Sequence, residues 1–196
     1  MKDNKSRKVH EAQEINDYRE LLKMVEEKYS KNIAYKYKKD PNAKEITYIE
    51  KTYQDFIDDI KAFSTGLLNL ELEGKKVILI GNNRYEWCTS YLAVTTGNMI
   101  IVPLDKALPD NEIEMLVKRS GAQVAIFDKK YSEIMIKIKN DDENNITKLI
   151  CMDNTRNDEI EKYSDILEKG KELLEKGDKR YEKIKIDNKK MSIMLF

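Results

Sequence analysis

The residues best placed to meet a ligand stand in one short stretch, Gly81-Asn82-Asn83-Arg84-Tyr85-Glu86-Trp87, directly after the apolar run Val77-Ile78-Leu79-Ile80. Two amides and a guanidinium after a buried strand put donors and acceptors outside a strand's carboxyl end, where open α/β sheets bind their ligands. Asn82, Asn83, Arg84 and the neighbouring Trp87 are therefore the candidate ligand-proximal residues. The competing reading is local: Asn82 or Asn83 caps the helix that starts near Tyr85, and Trp87 packs beneath it. No residue is singled out as catalytic, cofactor-binding or metal-binding. Carboxylates are plentiful, but they fall on helix surfaces, and no pair separates itself as a general acid and base.

Other chemistries are restricted by what the chain lacks. Its one histidine, His10, sits in a polar N-terminal stretch expected to be mobile. Ser–His, Cys–His and multi-histidine metal sites would all have to draw on that imidazole. Cys88 and Cys151 fit no metal-ligand spacing and read as reduced core thiols of a cytoplasmic protein. Lysine plus arginine and aspartate plus glutamate each number 36, so the chain has no basic excess with which to displace counterions from nucleic acid. No apolar run approaches the ~18 residues of a membrane span, and the first residues lack the apolar stretch of a secretory signal. A cytoplasmic location is expected, with at most peripheral membrane association. Phosphate binding on an α/β sheet needs closely spaced glycines, so that backbone N–H groups converge on the anion. Gly66, Gly74, Gly81, Gly97, Gly121, Gly170 and Gly177 are all well separated, so no self-sufficient ATP or dinucleotide site is expected.

The elements that would position these residues follow from periodicity. Ile15, Tyr18, Leu22, Val25 and Tyr29 mark one face of a first helix. Alternation through Ile33, Tyr35 and Tyr37, with a turn at Asp40-Pro41-Asn42, predicts a β-hairpin. Thr52 and Asp55 make a capping box for a helix whose buried stripe is Phe56, Ile60, Phe63 and Leu67. After Gly74 the rhythm changes: the apolar runs "KKVILIG", "NMIIVPL", "AQVAIFD" and "ITKLICMD" alternate with helical segments. One of those helices starts at Pro109 with an acidic first turn and ends before Gly121. Continuous apolar strands between amphipathic helices mean a doubly wound, mainly parallel α/β sheet with helices on both faces. The stretch 158–184 reads as one charged surface helix with Ile160, Tyr163, Leu167 and Leu174 as its packing edge. The closing "MSIMLF" reads as a further buried strand.

Taken together, "ITYIEKTYQDF", "GLLNLELEGKKVILIGNNRYEW", "SYLAVTTGNMIIVPLDKALPDNEIEMLVKRSGAQVAIFD" and "LLEKGDKRYEKIKIDNKKMSIMLF" resemble the adenylate-forming (AMP-binding) superfamily, and within it the AMP-forming long-chain acyl-CoA synthetases. The resemblance runs from about Ile15 to the last residue. It implies a flexible N-terminus over 1–14 and, over 15–196, the N-terminal part of an AMP-binding domain. In that family the strand matching "MSIMLF" leads into a Ser/Thr/Gly-rich phosphate loop, and the nucleotide, acyl and catalytic-lysine elements lie further on. ATP, Mg and CoA are thus implied for the parent enzyme, with none held by this chain, which alone is expected to be inactive. Implied partners are the remainder of the parent enzyme and, through uncovered apolar surface, a second copy. The alternative is a non-catalytic α/β scaffold or interaction module derived from the same family.

Overall fold

A computed structural model describes residues 13–39 and 46–196. His10 and the Asp40-Pro41-Asn42 turn lie outside the described residues. The N-terminal helix α1 (Tyr18–Tyr29) begins at Asp17, whose carboxylate accepts from the Arg19 and Glu20 N–H groups. The antiparallel strands β1 (Ile33–Lys38) and β2 (Tyr48–Thr52) follow. The capping box at Thr52 and Asp55 opens α2 (Tyr53–Asn69), and Phe56, Ile60, Phe63 and Leu67 are all buried, as their spacing predicts.

The α/β layer comprises β3 (Lys76–Ile80), α3 (Tyr85–Thr96), β4 (Ile100–Pro103), α4 (Asp110–Ser120), β5 (Val124–Phe127), α5 (Ser132–Lys139) and β6 (Lys148–Cys151). It continues through β7 (Glu161–Lys162), α6 (Tyr163–Glu175) and α7 (Arg180–Lys183). The sheet is parallel throughout, in the order β4-β3-β5-β6-β7. Side chains alternate across a strand, so β3 feeds two cores. Val77 and Leu79 join Ile57, Phe63, Val94 and Tyr163 on one face, while Ile78 and Ile80 join Ile113, Val117, Met135 and Ile138 on the other. This is the doubly wound arrangement expected, with α2, α3 and α6 on one side of the sheet and α4 and α5 on the other.

Four local expectations are corrected. Ile15 and Tyr29 are exposed rather than on the packed face of α1, which buries Leu22. Ile33 is exposed too, because a register shift between it and Tyr35 breaks the alternation that turns Tyr35 and Tyr37 inward. The stretch 158–184 is not one surface helix. Glu161 and Lys162 pair with Ile150 and Cys151 as β7, and a left-handed Gly177 (φ 85°) separates α6 from α7. Nor does α6 lie loosely on the surface. A Cβ on Gly170 would fall 1.8 Å from the Ala62 carbonyl oxygen, and one on Gly66 would fall 2.4 Å from that of Ile166, so α2 and α6 touch backbone to backbone. Finally, the closing residues make a single parallel bridge, Ile101↔Ile193, rather than a buried strand, and Leu195 and Phe196 are exposed.

Candidate functional site

Parallel register sets Ile80 opposite Phe127 and Phe127 opposite Cys151, so β3, β5 and β6 end side by side and their following loops leave together. Each loop brings a polar residue to the same place: Arg84 after β3, Asp128 after β5, Asp153 after β6. The Arg84 guanidinium reaches across all three. Nε donates to Glu86 at 2.7 Å, Nη1 to Asp153 at 2.5 Å and Asp128 at 3.5 Å, and Nη2 to the Met152 carbonyl at 3.4 Å. Asp128 is buried, and one of its oxygens also accepts from the backbone and side-chain N–H groups of Asn82 at 2.7 and 2.9 Å. Partial burial works against ionisation of Asp153, but the Lys129 N–H and the Arg84 charge outweigh it and hold the carboxyl below its ordinary range. Burial likewise works against the Arg84 cation, and Glu86 and Asp153 more than offset it.

A cleft of about 400 Å³ opens beside this cluster, between β2, α2 and α6. At its floor the buried Asp59 takes the Lys51 ammonium at 2.9 Å, the Lys171 ammonium at 3.4 Å and the Tyr85 hydroxyl at 2.8 Å. Burial, then the donated bond to Asp59, pushes the Tyr85 phenol well above the usual tyrosine range, so it stays a donor. Tyr37 stacks on Tyr85 with ring centroids 5.6 Å apart. The hydroxyl of Tyr163, a cleft-lining residue buried to 5% exposure, has no hydrogen-bond partner among the described residues.

These residues do not fit the phosphates of a nucleotide. The Asn82 N–H, which a phosphate would need, is already committed to Asp128, and Arg84 is held by three carboxylates that would repel an anion. Gly81 offers no room for a ligand either, since a Cβ there would lie 2.9 Å from Asp128. Among the described residues no group of histidine, cysteine and acidic side chains is placed to hold a metal ion. The arrangement ties three strand ends together with charge-assisted hydrogen bonds.

Of the four sequence candidates, the structure brings together Asn82 and Arg84, both on Asp128. Asn83 is exposed, and Trp87 turns away to stack on Tyr91 at 5.5 Å. The local reading is corrected as well: Arg84, not an asparagine, occupies the N-cap position of α3, without a side-chain cap bond, and the Asn82 amide instead donates to Asp128 while its oxygen accepts from Lys106. Sequence reasoning missed Asp128, Asp153 and Asp59. The first two carried a signal, since "VAIFD" and "LICMD" both close an apolar strand with an aspartate.

A parallel, doubly wound layer with its polar residues gathered at the carboxyl strand ends, preceded by a helix and hairpin, is the fold of the N-terminal domain of adenylate-forming enzymes. The AMP-binding enzyme family model matches residues 27–195, and the chain belongs to that family. It is similar to the mitochondrial medium-chain acyl-CoA ligase ACSF2 of Macaca fascicularis, 27% identical over 104 residues that make up 53% of this chain and 16% of that protein. The human protein of that name is 25% identical over 84 residues, 42% of this chain and 14% of its own length. Among solved structures, the anthranilate CoA ligase AuaEII in complex with anthranoyl-AMP superposes with a TM-score of 0.66 at 16% identity, covering 78% of this chain and 28% of that one. The long-chain-fatty-acid-CoA ligase FadD1 of Archaeoglobus fulgidus gives 0.61 at 12% identity, over 76% and 29%. The matched part thus spans less than a third of each of these relatives.

Proposed function

We propose that this chain is the N-terminal scaffold of an AMP-forming fatty-acid–CoA ligase acting on long acyl chains. The parent reaction joins a carboxylate to ATP, giving acyl-adenylate and pyrophosphate, and then transfers the acyl group to the thiol of CoA with release of AMP. The observation that carries the reading is the family match over 27–195 on a sheet whose carboxyl end is closed by its own ion pairs. Catalysis of phosphoryl chemistry rests on donors and cations arranged around the phosphates. On this reading ATP, Mg and CoA are held by the remainder of the parent enzyme, which is also the partner that covers the exposed Met191, Leu195 and Phe196. The two unpaired thiols, and the absence among the described residues of any helix long and apolar enough to cross a membrane, support a cytoplasmic location.

ATP–pyrophosphate exchange tests the proposal. The chain alone, offered medium- and long-chain fatty acids with Mg and ATP, is expected to give no exchange above a protein-free control. Supplied with the remainder of a long-chain family enzyme, it is expected to restore exchange. Exchange by the chain alone would overturn the scaffold reading. Failure to support exchange with any remainder would favour the non-catalytic module.

A further inference from the structure

We propose that residues 185–191 form a strap fastened at two ends, and that Arg19 is the positioning residue that fastens the first end and so keeps Ile193 paired on β4. The strap leaves α7, passes over the end of α3 and reaches the outer edge of the sheet. Beneath it lies a cavity of about 290 Å³, lined by Asn16, Asp17, Thr95, Thr96, Asn188 and Ser192 among others.

The first fastening is the Arg19 guanidinium. Nε donates to the Thr96 carbonyl at 2.9 Å, Nη1 to that of Ile184 at 3.1 Å and Nη2 to that of Tyr181 at 2.5 Å, with the charge 4.1 Å from the Tyr181 ring centroid. Thr96 is the last residue of α3, where carbonyls lack intrahelical partners and the helix dipole presents its negative end. Arg19 itself is fixed by the Asp17 cap, which sets the first turn of α1. A planar fork can serve three carbonyls from two distant segments at once, which the point charge of a lysine cannot do.

The second fastening is the edge of β4, where the Ile101 N–H donates to the Ser192 carbonyl and the Met194 N–H to the Ile101 carbonyl, both at 2.9 Å. Between the two ends the hydrogen bonds are local, the Lys189 and Lys190 N–H groups closing a turn on Asp187. Apart from the half-buried Ile193 and Met194, which pack against the edges of the two cores, a single bridge with two hydrogen bonds must otherwise hold this largely exposed segment against its conformational entropy. Arg19 shortens the free length that this bridge has to order. The inference concerns the sheet edge and stands independently of the reaction assigned to the family.

Site-resolved amide exchange tests it, because the Ile101 and Met194 amides are bonded only through the strap. In Arg19→Ala both are expected to exchange faster, on the order of tenfold, while the Ile78 and Ile126 amides of the central strands keep their wild-type rates. Arg19→Lys, which keeps the charge and loses the fork, is expected to accelerate the same two amides. Wild-type rates at Ile101 and Met194, or equal acceleration at all four positions, would overturn the proposal. Should Arg19→Ala fail to fold, the wild-type protein decides: the Arg19 Nε–H is expected to exchange on the order of tenfold more slowly than that of the exposed Arg156, and equal rates would overturn the proposal.

Discussion

Arg84 and Asp128 set the behaviour of the strand ends, because one is a charge shared among three carboxylates and the other a carboxylate at 5% exposure. Replacing Arg84 with methionine keeps the apolar stem and removes every donor. Asp128 then retains the two Asn82 bonds, while Asp153 keeps the Lys129 N–H. Removing one partner from charge-assisted bonds costs about 1.5–3 kcal/mol. Arg84 and Asp153 are each about one-third exposed, which screens the pair and places Arg84→Met toward the lower half of that range. Urea denaturation at neutral pH measures it. The same pair gives the acid limb of stability its sign. Because Asp153 is held below the ordinary aspartate value, its contribution is complete above ~4. It is lost as pH falls through the lowered folded-state value, so Arg84→Met is expected to flatten the stability profile below pH ~4. An unchanged acid limb would mean that the Lys129 N–H alone depresses the carboxyl. Gly81→Ala probes the same junction sterically, since its Cβ would meet Asp128 at 2.9 Å and the Met152 methyl at 2.7 Å. The methionine can move, whereas the carboxylate is bonded on both oxygens, and a loss of about 1–3 kcal/mol is expected by thermal denaturation. This cluster was half legible in the sequence. Asn82 and Arg84 follow an obvious strand, but their partners lie 46 and 69 residues away in sequence, and only parallel register brings them near.

Elements were legible where their period is long and clean. The capping box at Thr52, the acidic start of α4 and its left-handed Gly121 end, and the four apolar runs that became β3 to β6 all came through intact. Two-residue β7 was hidden because a strand that short has no period to detect. The packing of α6 was hidden for another reason. Its surface is so rich in lysine and glutamate that the stretch reads as a solvated helix, and Gly170 carries no signal of its own. In the fold that glycine lets α6 settle on Ala62 and Gly66 of α2. Gly170→Ala therefore has to push two helix backbones apart, since the opposing atom is a main-chain carbonyl with nowhere to go. A loss at the top of the usual overpacking range, about 3 kcal/mol, is expected by urea denaturation. Gly177→Ala, in a left-handed turn with open space around it, is expected to cost less, about 1 kcal/mol. A reversed order would mean that helix propensity, and not the crossing, governs this region.

At the scale of the molecule, two surfaces differ in how finished they are. The carboxyl ends of the central strands are closed by ion pairs, whereas the outer edge beyond β4 is apolar and open. Leu195 is 73% exposed and Phe196 52%, and both lie against a groove formed by Leu104, Leu108, Met115 and Leu116. The groove is about 630 Å³, and the Arg119 guanidinium lies 5.6 Å from the Phe196 ring centroid. Each large apolar side chain left in water forgoes about 1.5–3 kcal/mol, and a strand edge with unpaired N–H groups can recruit another chain. The isolated chain is therefore expected to self-associate through this edge, with scattering mass rising with protein concentration. The double variant Leu195→Asp/Phe196→Asp is expected to remain at monomer mass and to unfold at the wild-type monomer's urea midpoint, because neither residue belongs to either buried core. A wild-type chain that stays monomeric at high concentration would show that the edge is already satisfied by its own groove. In that case the strap and Arg19, which decide whether Ile193 stays on β4, would be enough to protect the sheet.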